Sequence, residues 1–80
     1  MGRLHRIGNA TIRVYANDHL PPHFHVEAPD GDAQIEIASL KLLAGSLPGG
    51  STGRAVRNWI EEHRAEIVTE WNRINPKFPA

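Results

Sequence analysis

The hydrophobic pattern of this chain changes period once, and the change falls in a glycine-rich stretch that suits neither period. Before it, apolar residues recur at every second position. Ile12, Val14 and Ala16 alternate with Thr11, Arg13 and Tyr15; Phe24 and Val26 alternate with His23, His25 and Glu27; Ala33, Ile35 and Ile37 alternate with Gln34, Glu36 and Ala38. Alternation of this kind marks strands with one buried face. Gly8-Asn9 is a turn signal that joins the weaker run Leu4 to Ile7 to the Ala10 to Ala16 strand as a hairpin. Pro29-Asp30-Gly31-Asp32 joins the next two strands, since proline presets φ and glycine supplies a positive φ. Leu40 to Ala44 is short and apolar almost throughout, and reads as a fifth strand. Residues 45–53, with Pro48 among glycines, form a linker.

Beyond the linker, from about Arg54 to Asn75, the period becomes helical. Ser51 or Thr52 is the expected N-cap and Asn75-Pro76 the stop. Val56, Trp59, Ile60, Ile67, Trp71 and Ile74 fall in one stripe about 120° wide, the width of a core-facing surface. A continuous helix there would be roughly 33 Å long, a little more than the ~30 Å diameter expected of a chain this size. The sequence therefore predicts a kink or an overhang near residues 63–66, and a kink there would divide the helix in two. Strands followed by helix, without alternation of the two, give the α+β class: a four- to five-stranded antiparallel meander with one face covered by a C-terminal amphipathic helix.

Composition narrows the function classes. Eighty residues make one domain, spanning 1–80. The absence of cysteine excludes a disulfide framework and any thiolate nucleophile or thiolate metal site, and makes the cytoplasm the expected compartment. Nine Lys plus Arg balance nine Asp plus Glu, which argues against wrapping duplex DNA in a positive field. No run approaches a membrane span, and the polar opening Met1-Gly2-Arg3-Leu4-His5-Arg6 has no apolar segment behind it, so a soluble chain without a leader is expected.

Five histidines are the compositional anomaly, and His19, His23 and His25 fall within seven positions. If Phe24 and Val26 face the core, His23, His25 and Glu27 face the other way, together with Arg13, Tyr15, Gln34 and Glu36. A His-x-His pair on a strand sets two imidazoles on one side with Cβ atoms about 7 Å apart, suited to sharing a divalent metal such as zinc or to acid–base work. His19, His23 and His25 are the candidate metal ligands, with Asp18 and Glu27 able to add oxygens. His23, His25 and Arg13 are the candidate catalytic residues, and Tyr15, Asp18 and Glu27 the candidate partner or substrate contacts. Histidines on a strand surface also need no function, and Pro21-Pro22 between them supplies rigidity in any case. His63, within the apolar stripe, reads as a satisfied core histidine, and Trp59 and Trp71 as core anchors. Arg54, Arg57, Arg64 and Arg73 interleave with Glu61, Glu62, Glu66 and Glu70 as on a solvated helix face, which does not suit nucleic acid. Asp30-Gly31-Asp32 lacks the later ligands of a calcium loop.

Arg6-Ile7-Gly8, Arg13-Val14-Tyr15, the His19-x-Pro21-Pro22-His23-x-His25 signature, Leu47-Pro48, Trp59 and Trp71 together resemble a small prokaryotic family, domain-of-unknown-function family 4160. Genes of that family commonly stand beside those of another small family, numbered 2442, an arrangement similar to a two-gene toxin–antitoxin module. The resemblance thus implies a partner-binding protein whose partner is a small protein encoded by the adjacent gene. One departure is visible: family members commonly carry basic residues after the Leu-Pro, where this chain has Gly49-Gly50-Ser51-Thr52-Gly53, which weakens any phosphate-binding role for that loop. Three readings follow. The first is a partner-binding component acting through the histidine-bearing face or the sheet edge, with a homodimer as the simplest alternative assembly. The second is a small ribonuclease, with His23 or His25 as general acid or base and Arg13 on the phosphate, or with metal held by His19, His23 and His25. The third is a plain metal-binding domain.

Overall fold

Alternating side chains, punctuated by glycine and proline, produce five consecutive strands: β1 (Gly2–Ile7), β2 (Ala10–Val14), β3 (His23–Ala28), β4 (Gly31–Glu36) and β5 (Leu42–Gly45). The structure is a computed structural model that describes residues 2–16 and 19–80, and only the backbone of residues 2 and 3. The strands lie in one sheet in chain order, β1-β2-β3-β4-β5, and every neighbouring pair is antiparallel. This is the expected meander. Gly8 takes the positive φ of 58° at the first turn. At the β3–β4 turn the Ala28 N–H donates to Asp32 Oδ1 at 3.3 Å.

Register fixes which side chains share a face. Ile12 stands opposite Val26, Val26 opposite Ala33, and Phe24 opposite Ile35. These residues, with Ala10, Val14 and Ile37, are buried together against Val56, Ile60, Ile67 and Trp71 of the helices. Burying a large aliphatic side chain contributes about 1.5–3 kcal/mol, so this shared layer is what holds helix to sheet. The opposite face carries Arg13 opposite His25, His25 opposite Gln34, and Glu27 opposite both Thr11 and Asp32.

The helical region is two helices, α1 (Gly50–Glu62) and α2 (Arg64–Ile74), divided at His63, so that of the kink and the overhang it is the kink that forms. His63 closes one and opens the other: its N–H donates to Trp59 O at 2.9 Å, and its carbonyl accepts from the N–H groups of Glu66 and Ile67 at 3.0 and 3.2 Å. The start differs from the expectation. Gly49, not Ser51 or Thr52, is the N-cap, with no side-chain cap bond, and the helix begins four residues before Arg54. The reason is Gly53, which the sequence places in the linker but which lies buried in the first turns of α1. A Cβ there would stand 2.1 Å from Pro48 O, so the absent side chain lets the chain before the helix fold back onto it. Gly45, which ends β5 with φ 76°, is tied in the same way, since a Cβ would fall 1.9 Å from Asp32 O.

Arg64 also departs from the solvated-face reading. Its Nε donates to Ile37 O at 2.8 Å and its Nη2 to Ala38 O at 3.1 Å, so it fastens the start of α2 to the chain beyond β4. No helix among the described residues is long and apolar enough to cross a membrane.

Candidate functional site

The end of β2 lies beside the start of β3, and there the polar face of the sheet becomes an aromatic and ionic cluster. Glu27 is its hub. Its Oε1 accepts from Arg13 Nε at 2.8 Å, with both side chains about one-third exposed (33% and 32%), and its Oε2 accepts from the Tyr15 hydroxyl. That hydrogen bond raises the Tyr15 pKa above its ordinary 10.0, and burial and the negative charge of Glu27 add to the effect. Tyr15 therefore keeps its proton and serves Glu27 as a donor. The His25 ring meets Tyr15 edge-on, with centroids 4.8 Å apart and planes at 85°.

From His25 the rings continue in a row. His23 lies 5.1 Å from His25, and His19 lies 4.8 Å from His23, centroid to centroid. Strict alternation would leave His23 on the open face, yet it is fully buried, with its ring 5.9 Å from that of Trp71 in α2. The C-terminus of α2 covers this end of the sheet, where Asn75 Nδ2 donates to Tyr15 O at 3.0 Å. His23 Nδ1 bonds Pro21 O at 2.8 Å, and because a carbonyl only accepts, Nδ1 carries the proton. Pro21 follows a cis peptide bond.

The sequence readings separate on this geometry. Arg13, Tyr15, His25 and Glu27 are brought into one cluster. His23 is placed beneath it as a buried support, which corrects its reading as a surface acid or base: a fully buried imidazole cannot reach a substrate. Three ligands for a metal are not brought together: among the described residues no group of three His, Asp or Glu side chains is arranged to hold an ion. His19, His23 and His25 stand in a row of ring contacts. Asp18 lies outside the described residues.

The family described as Domain of unknown function (DUF4160) matches residues 10–72. The chain belongs to this family. No curated protein and no solved structure matches it. In this DUF4160 chain the matched span includes the whole Arg13-Tyr15-His25-Glu27 cluster as well as α1 and most of α2.

Two features of this DUF4160 chain lie outside the predicted site. His5 and His63 sandwich the Trp59 indole, with centroid distances of 4.8 and 4.5 Å and planes within 5° and 12° of parallel. His63 Nδ1 also donates to Trp59 O at 2.9 Å. The period-2 pattern of β1 is too weak to single out His5, although Trp59 and His63 at i, i+4 were a visible helix-face pair. The second feature is β5, all four residues of which are exposed, with Leu42 at 51% and Leu43 at 44%. Beside it a cleft of about 370 Å³ is lined by Ile35, Leu40, Leu42, Leu47 and Ile60, with Arg57 and Glu61 of α1 in its wall.

Proposed function

We propose that the chain is the partner-binding component of a two-protein module of toxin–antitoxin type, and that it holds its partner, a small protein encoded by the adjacent gene, by strand addition at β5. The observation that carries this reading is the exposed apolar edge. Natural sheets blunt their edges with charge, proline or a covering segment, because an open row of N–H and C=O groups is a template for pairing. The β1 edge follows that rule, with Arg3, His5 and Arg6 in its sequence. The β5 edge has leucines, alanine and glycine instead, and the adjoining cleft is a ready pocket for one apolar side chain of an added strand. Main-chain hydrogen bonds supply affinity in this mode and such pockets supply specificity.

Co-expression with the product of the adjacent gene, followed by capture on a tag carried by that product, tests the reading. A stoichiometric complex is expected, and Leu43→Lys should weaken capture at least about tenfold, with little change in melting temperature because the position is exposed. A chain that stays monomeric in the presence of that product, or capture indifferent to Leu43→Lys, overturns it.

A further inference from the structure

The open face of the sheet is separate from the β5 edge, and its chemistry does not depend on any partner. We propose that Arg13, Tyr15, His25 and Glu27 form a phosphodiester-cleaving site for single-stranded RNA, with Glu27 as general base, His25 as general acid and Arg13 as the phosphate ligand. Three features support the assignment. Glu27 and His25 lie two apart on β3 and so project to one side with Cβ atoms about 7 Å apart, a span in which a base and an acid can flank one phosphorus. Arg13 comes from the neighbouring strand directly opposite His25. Its guanidinium spends Nε on Glu27, so the two Nη groups of its planar fork can take a phosphate oxygen pair. Finally, both Arg13 and Glu27 are one-third exposed, so a ligand on the surface can touch them.

Both Glu27 oxygens accept a hydrogen bond, yet each carboxylate oxygen has two lone pairs, and one remains to take a proton. The cluster offers no nucleophile of its own. The Tyr15 hydroxyl is committed to Glu27 and holds its proton, and Thr11, opposite Glu27 on the same face, is buried at 8% exposure. The attacking oxygen is then water or a hydroxyl of the substrate; the ribose 2′-hydroxyl of RNA already stands next to the phosphorus it attacks, the arrangement that needs least positioning, and the all-deoxy strand below separates the two. In the step, Glu27 takes the 2′-hydroxyl proton, the 2′ oxygen bonds to phosphorus, the bond from phosphorus to the 5′ oxygen breaks, and the departing 5′ oxygen takes a proton from the His25 imidazolium. The products are a 2′,3′-cyclic phosphate and a free 5′-hydroxyl, and no other reactant is consumed. Tyr15 is a positioning residue that holds the carboxylate toward the substrate.

The test uses the purified full chain and two oligonucleotides of one sequence, all-deoxy and with a single ribose, in buffer containing a chelator. Cleavage only after the ribose, leaving a cyclic phosphate, is the expected result. Glu27→Gln and His25→Ala should each lower the rate at least about 100-fold while the circular dichroism spectrum and melting temperature stay close to those of the parent. Tyr15→Phe should lower kcat with KM unchanged, because the carboxylate loses the donor that orients it, an effect that a merely structural role would not produce. No cleavage by the parent chain, equal cleavage of the all-deoxy strand, or a rate unchanged in folded Glu27→Gln overturns the proposal.

Discussion

Single residues in this protein act where the backbone or a shared carboxylate leaves no alternative. Tyr15 is the chain's one tyrosine, so its ionisation can be read directly from tyrosinate absorbance. With its pKa raised above 10.0 chiefly by the hydrogen bond to Glu27, the folded state favours the neutral phenol. The stabilisation is fully present below pH 10 and is lost as the pH climbs through the folded value. Tyr15 in the native protein should therefore titrate later than free tyrosine, and Glu27→Gln should bring it back toward the ordinary value; a native titration at or below that of free tyrosine contradicts the Tyr15–Glu27 contact. Gly53 permits a similar measurement. With a Cβ 2.1 Å from Pro48 O, Gly53→Ala should cost about 2 kcal/mol or more through overpacking, visible as a fall in the urea midpoint, even though alanine is the better helix former.

At the scale of elements, much of the architecture was legible and the reasons are plain. Period-2 runs between turn residues located β2 to β4, the Gly8-Asn9 turn added β1 as the partner of β2, and the length of the helical stretch against the expected size of the molecule left a kink or an overhang near residues 63–66. The face shared by Arg13, Tyr15, His25 and Glu27 also followed from alternation. What could not be read was register: nothing in the sequence states that Arg13 stands opposite His25, so Glu27 as the hub of the cluster emerges only when β2 and β3 are paired. The burial of His23 was illegible for a related reason, because it depends on where the end of α2 comes down on the sheet. Arg64 was hidden by its company, since an arginine among glutamates on a helix resembles a solvated one until the carbonyls of Ile37 and Ala38 are placed beside it. Arg64→Ala should lower stability by about 1 kcal/mol, the net worth of such bonds, whereas Arg54→Ala, on the same helical stretch and exposed, should change it little; chemical denaturation of the two variants compares them directly.

For the molecule as a whole, sheet and helices share one core, so neither can be stable alone. Ile67 and Trp71 of α2 are completely buried in the layer that also holds Ile12, Phe24 and Val26. A chain ending after Glu62 should lose the far-ultraviolet signature of its sheet as well as that of α2, and a folded fragment would show that α2 is an accessory. The unequal edges carry a further consequence. Under the strand addition proposed above, growth of this sheet is directional: β5 would be extended, whereas β1, with Arg3 and Arg6 in its sequence, would repel a like copy of itself. Two copies meeting through β5 would present only β1 edges at both ends, so the assembly would stop at a pair and could not propagate into a fibre.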